Sequence, residues 1–341
     1  MSRIETPIML LFFNRPDTLK QLFEWVKKIK PKQLFLVQDG ARKDNNLDLE
    51  NIKKCREIVE NVDWDCEVRK NYSNVNLTCD EREFSGIDWC FQFVDRLIIL
   101  EDDILPSLSF YDFCGELLEK YKDDERVHMI SGFNRCNTYT KAPYDYVFSK
   151  TGAGIGWATW KRVWDKVRAL KENELFNNQS EFDYYNKLID DNDVRGAKGF
   201  LPILRSSKQK NEQFGRVLSW EKLVGGVSHL SNSLTITPTK NLIKYNGITE
   251  NATHCCDDVR FLSKKIRRLL AQCSYEIDLP IKNPPYVVRD KDFETLDRKA
   301  LICKCKFVPK IERFFSIIKA RRWDILFKKF KKKSKKRINK V

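Results

Sequence analysis

Over its first hundred residues the chain alternates short apolar runs with amphipathic stretches. Residues 7–13 and 33–37 are apolar runs of strand length, and Leu97-Ile98-Ile99-Leu100 is apolar throughout, as strands buried on both faces are. Between them, 16–30 sets Leu19, Leu22, Phe23 and Val26 on one helical face, 49–61 and 85–94 read as further helices, and 65–70 as a strand. Strand and helix in alternation predicts an α/β fold whose mostly parallel central sheet is flanked by crossover helices. Beyond 105 the pattern loosens into a helix at 109–122, a strand at 128–132, a Gly/Trp-rich segment with a helix at 158–167, a polar helical stretch, and a strand and turn at 233–244. The Pro-rich segment 280–288 reads as extended and as the end of the body.

In open parallel sheets ligands sit beyond the carboxyl ends of the strands, which directs the search to Asn14-Arg15, Gln38-Asp39-Gly40 and Glu101-Asp102-Asp103. Three adjacent carboxylates after a buried strand repel one another by several kcal/mol without a counter-charge. A hard divalent cation, Mg or Mn, relieves this and keeps positions open for phosphate and water. The other strand ends suit a phosphate-bearing partner: Arg15 can neutralise a phosphate or stack on a base, Asn14 can hydrogen-bond, and Asp39 can accept from a uracil-type imide or a ribose hydroxyl. Each also has a plain structural reading, since Pro16-Asp17 suits a helix start and Asp39-Gly40 a turn.

Farther on, Gly152, Gly154 and Gly156 alternate in a segment that lacks the spacing of a dinucleotide fingerprint. Trp157 and Trp160 offer flat faces for a sugar ring, although Trp160 and Trp164 read better as core. Glu221, an acid beside Trp220 with apolar residues after it, is a candidate general base, and His254 follows a small, polar loop that suits a metal or phosphate contact.

Charge changes the picture in one respect. The chain holds 63 Lys and Arg against 48 acids, a net +15, but residues 301–341 hold 16 basic residues and 2 acids. The body is therefore near neutral, which argues against nucleic acid as its partner. In the tail Phe307, Ile311, Phe314, Phe315, Ile318, Trp323, Leu326, Phe327 and Phe330 recur at three- and four-residue steps among Lys and Arg, which predicts an amphipathic basic helix for an anionic membrane face. The 11 Cys are irregularly spaced with no Cys-x-x-Cys pair, so the thiols are expected to be reduced and the protein cytoplasmic.

Taken in order, PIMLLFFNRPDTL, LFLVQDG, NLTC with SGIDW, LIILEDDILPSLSFYDFC, GAGIGWATWKRVW, SWEKL and NLIKYNGITENATH resemble the nucleotide-sugar glycosyltransferases of the GT-A fold. Within that fold they are similar to N-acetylglucosaminyltransferase I and its bacterial, family 2-like relatives. The resemblance covers about residues 5 to 256. It implies Asp103 as metal ligand, Asp102 as the ribose or metal-water contact, and Glu101, Asn14, Arg15, Asp39, Gly156 and Trp157 as nucleotide-sugar contacts. It further implies Glu221 as base and His254 as a phosphate or metal contact. Two departures stand out: Glu221 occupies a position where the family usually has Asp, and Thr249-Glu250-Asn251 stands where relatives tend to show Gly-Glu-Asp.

These readings predict a nucleotide-binding half at 1–104, an acceptor and catalytic half at 105–285, and the basic tail at 286–341. The expected activity is metal-dependent hexosyl or N-acetylhexosaminyl transfer from a UDP-sugar, with inversion, to a saccharide or lipid-linked glycan in bacterial surface polysaccharide or lipopolysaccharide synthesis at the inner membrane face. The rivals are a metal-dependent nucleotidyltransferase, which would use the same carboxylates, and a non-catalytic RNA-binding protein acting through the tail.

Overall fold

The computed structural model describes residues 5–172, 177–189, 200–213, 218–247 and 262–301. In chain order its elements are β1 (Ile8–Phe12), α1 (Pro16–Ile29), β2 (Gln33–Gln38), α2 (Asn46–Val59), β3 (Glu67–Tyr72), α3 (Cys79–Cys90), β4 (Arg96–Glu101), β5 (Ile104–Pro106), α4 (Ser109–Lys120), β6 (Val127–Ser131), β7 (Tyr146–Ser149), β8 (Trp157–Trp160), α5 (Lys161–Glu172), α6 (Gln179–Leu188), α7 (Phe200–Gln213), α8 (Trp220–Leu230), β9 (Leu234–Pro238), β10 (Ile243–Tyr245), α9 (Lys264–Leu270) and α10 (Lys291–Leu301).

Eight strands form one sheet in the order β3-β2-β1-β4-β8-β6-β9-β7, and β10 pairs with β5 in a small second ribbon. The first four strands are parallel; β8 enters antiparallel between β4 and β6, and β7 is antiparallel to β9. The mostly parallel α/β architecture expected from the sequence is thus the one observed. Side chains on successive strand residues point to opposite faces, so one strand feeds two cores. Ile8, Leu10, Leu34, Leu36, Ile98 and Leu100 pack with α1 and α4 on one face. Met9, Phe35, Val37, Leu97 and Ile99 pack with α3, α5 and α8 on the other.

Three expectations need revision. The helix expected at 158–167 starts at Lys161, because 157–160 is β8, pairing Ala158 with Ile98 on one side and Ile130 on the other. Both faces of β8 are covered, so Trp157 and Trp160 are each buried, one in each core, and a helix-like aromatic spacing is satisfied by a strand. The helix expected from 85 begins at Cys79, six residues earlier, with Asp80 and Glu81 in its first turn where they complement the helix dipole. Beyond 285, the expected end of the body, the chain still packs on it in α10. Phe293 of α10 is fully buried, edge-on to Tyr139 at 5.3 Å, and buried Glu294 forms a two-pronged pair with Arg289. The amphipathic tail helix and His254 lie outside the described residues.

Candidate active site

Because β1, β2 and β4 run parallel and in register, with Phe12 opposite Gln38 and Leu11 opposite Glu101, their carboxyl ends open on one side of the sheet. A cleft of about 380 Å³ lies there, lined by Phe13, Arg15, Asp39, Arg42, Asn76, Thr78, Cys79, Arg82, Glu83, Glu101, Asp102, Asp103 and Tyr245 among others. Of the residues singled out from the sequence, Arg15, Asp39, Glu101, Asp102 and Asp103 converge on it.

Glu101 ends β4, and Asp102-Asp103 make the tight turn into β5. Arg15 Nη1 donates to Asp102 Oδ1 at 3.1 Å and to Asp103 Oδ2 at 3.0 Å. The Phe13 backbone N–H donates to Asp102 Oδ2 at 3.0 Å, and the Tyr245 hydroxyl to Asp103 Oδ2 at 3.3 Å. Gly247 lies so close to Asp103 that a Cβ there would come within 2.5 Å of its side chain. Arg15 is thus committed to the carboxylates, where the sequence offered it to a phosphate.

The other residues expected to contact a nucleotide have similar internal roles. Asp39 Oδ1 accepts from the Gly40 and Leu77 N–H groups, and Oδ2 from Asn76 Nδ2, so Asp39 holds the loop that follows β3. Gly40 permits this approach, since a Cβ would sit 2.5 Å from the Val75 backbone. Asn14 is buried off the cleft and donates to Asp48 Oδ1 at 2.7 Å. Asp48 in turn holds Arg42 by two hydrogen bonds of 2.7 Å, setting that guanidinium 5.6 Å from the Phe13 ring at the cleft wall. Gly156 and Trp157 also stand off the cleft. Gly156, at φ +58, supports close packing against Ile243. Trp157 is buried and stacks on Trp220 at 4.4 Å, their planes 3° apart.

That stack joins the Gly/Trp-rich segment to SWEKL and ends on a residue the sequence reading missed. Trp220 Nε1 donates to Glu83 Oε2 at 2.9 Å, and the Cys79 thiol donates to Glu83 Oε1 at 2.9 Å. Glu221, exposed in the first turn of α8, is not among the residues lining the cleft. Arg42, Arg82 and Glu83 are the functional candidates that sequence reasoning passed over. The signal for Glu83 was the spacing of Phe84, Ile87 and Cys90, which continues back to a helix start at Cys79. Arg82 is buried at the cleft floor, where Nη2 donates to Asn71 and Nε–H has no partner among the described residues.

Electrostatics follow from this crowding. Burial raises Glu101 well above the usual carboxylate range, and Asp103, Glu83, Glu221 and Asp102 add to it. Burial pushes Asp102 up to about 6 against the pull of Arg15. Glu83 is pushed up to about 7 by burial, with the Cys79 hydrogen bond opposing and Glu221 and Asp80 reinforcing. Among the described residues no three His, Cys, Asp or Glu side chains are already gathered as a metal cage. The oxygen donors of Asp102 and Asp103 still suit a hard cation, because Mg or Mn uses one or two carboxylates and takes its other ligands from phosphate and water.

No family model matches the chain, and no curated protein does. Among solved structures it is similar to a 4-diphosphocytidyl-2C-methyl-D-erythritol synthase from Anaerococcus prevotii (14% identity, 53% of this chain and 84% of that one, TM-score 0.30). It is likewise similar to a UDP-glucose pyrophosphorylase complexed with UDP-glucose (10%, 50% and 81%, TM-score 0.29) and to the inositol-1-phosphate CTP transferase of T. maritima (10%, 78% and 96%, TM-score 0.33). Likeness of this size leaves the functional argument to the cleft.

Carboxylates whose values are raised by folding stabilise the protein when protonated, and that contribution is lost as pH rises through the folded value. Melting of the metal-free protein is expected at falling temperature from pH 5 to pH 8. Glu83→Gln should melt with wild type at pH 5 and above it at pH 8; an identical pH dependence for both would contradict the assignment.

Proposed function

We propose that the protein is a metal-dependent glycosyltransferase that moves a hexosyl or N-acetylhexosaminyl group from a nucleotide-sugar, of the UDP class, to a saccharide or lipid-linked glycan of a surface polysaccharide. The observation that carries this is the cleft at the ends of β1, β2 and β4, where Asp102 and Asp103 share the guanidinium of Arg15 and Glu83 and Glu101 line the same cleft with no ion pair to it. Such an excess of oxygen donors calls for a hard cation and, through it, a diphosphate. Mn or Mg would be held by Asp103 with Asp102 beside it, and when bound it supplies charge stabilisation to the leaving diphosphate. His254, the other ligand suggested by the sequence, lies outside the described residues.

The chain's own groups would do the rest. Arg42, fixed by Asp48, presents a cation to the phosphates, and the fixed Phe13 ring below it offers a flat face to the base. Asp39 and Asn76 shape the nucleoside end, and Glu101 orients donor-sugar hydroxyls. A carboxylate among Glu83, Glu101 and Glu221 would take the proton of the acceptor hydroxyl as it attacks the anomeric carbon. A nucleotidyltransferase would use the same acids, but the turn from β1 to α1, Phe13-Asn14-Arg15, has no glycine-rich phosphate loop.

The basic sequence of residues 302–341 supports a place at an anionic membrane face, and no helix among the described residues is long and apolar enough to cross one. A chain ending at 301 should then lose sedimentation with phosphatidylglycerol vesicles that the full chain shows; undiminished binding would refute the tail's role.

For the donor, a thermal-shift panel of UDP-, GDP-, CMP- and dTDP-sugars with and without Mn should give stabilisation by one nucleotide class and only with metal. Asp103→Ala should abolish that shift. Metal-independent stabilisation, or a shift that survives Asp103→Ala, would overturn the proposed site.

A further inference from the structure

The acid nearest in sequence to Trp220 is Glu221, yet the Trp220 indole holds a different carboxylate, one that lines the cleft. Glu83 lines the cleft from the first turns of α3, close enough to Glu101 of β4 that its charge helps to raise Glu101. Its carboxylate is fixed at both oxygens: the Trp220 indole donates to Oε2 and the Cys79 thiol to Oε1, each at 2.9 Å. Trp220 is itself immobilised by its stack on Trp157 and by Gly154, where a Cβ would lie 2.3 Å from the indole ring. Each Glu83 oxygen accepts one of these bonds and retains acceptor capacity for a further hydrogen.

We propose that Glu83 is the catalytic base of the transfer, taking the proton of the acceptor hydroxyl from within the cleft while Glu221 acts on it only through charge. This rests on the glycosyltransferase reading above. In the step, the acceptor O–H bond breaks and its proton passes to a Glu83 oxygen. The acceptor oxygen's electron pair forms the new bond to the anomeric carbon. The bond from that carbon to the phosphate oxygen breaks, and its pair leaves on the nucleoside diphosphate.

The groups facing Glu83 suit the role. Cys79 and Asp80 come from its own helix, Glu101 from β4, and Glu221 with Trp220 from α8. Burial and the neighbouring acids keep the Cys79 thiol protonated, so it stays a donor to Glu83. The same burial, reinforced by Glu221, places Glu83 near neutrality, where a base combines availability with driving force.

The test measures UDP release from UDP-glucose and UDP-N-acetylglucosamine with Mn and water as acceptor, across pH 5–9, alongside Mn-dependent UDP affinity. Wild-type turnover should rise through a limb near pH 7. Glu83→Gln should lower kcat by about 10²–10⁴ with UDP affinity kept and the limb absent, and Glu83→Asp should restore part of the rate with a limb. Glu221→Gln should keep the limb and move it to lower pH, because a neighbouring negative charge is removed. A limb that persists in Glu83→Gln, or that vanishes only in Glu221→Gln, overturns the assignment and leaves the glycosyltransferase reading standing. Absence of wild-type turnover on both UDP-sugars overturns that reading, and the base assignment with it.

Discussion

The structure turns on the mutual repulsion of carboxylates that the sheet cannot absorb. β1, β2 and β4 are apolar and covered on both faces, so acids delivered by β4 can stand only where it ends. Two unit charges 4 Å apart repel by about 4 kcal/mol at an effective dielectric near 20. Glu101, Asp102 and Asp103 answer with one guanidinium, one backbone N–H and one tyrosine hydroxyl. Arg15 is drawn onto Asp102 and Asp103 at once, while burial raises Glu101 well above the usual carboxylate range and Asp102 above its own against the pull of Arg15. A cation that arrives with its own phosphates would complete what Arg15 begins.

Around this centre, polar residues act mainly by holding others. Asn14 fixes Asp48, which fixes Arg42; Asp39 fixes the loop that carries Asn76 and Leu77; Trp157 fixes Trp220, which fixes Glu83. Each chain of contacts begins in a buried element and ends at the cleft wall. Such support lets long side chains present one geometry to a ligand with little ordering entropy left to lose on binding.

The alternation of apolar runs and amphipathic stretches made the parallel half of the sheet legible, because each strand there is covered on both sides and each crossover is a helix with one apolar face. The same reasoning located the cleft, since Arg15, Asp39 and Glu101 to Asp103 all follow strands. It went astray where tertiary placement overrides local pattern. Trp157 and Trp160 have a helix-compatible spacing but fill β8, and Phe293 seals the body beyond a Pro-rich segment that reads as a terminus. Glu83 escaped notice because its importance lies in a hydrogen bond from a residue 137 positions away, which no local pattern encodes. Trp220 was legible as a motif, but which way its neighbour Glu221 faces was not.

The central claim, that these carboxylates hold a divalent cation together with a nucleoside diphosphate, is tested most directly by electron paramagnetic resonance of Mn. Titrated into the full chain with UDP present, the free-ion signal should be depleted at one Mn per chain, more weakly without UDP, and not at all in Asp103→Ala. A free-ion signal unchanged by the wild-type protein with UDP, or depleted equally by Asp103→Ala, would contradict the account.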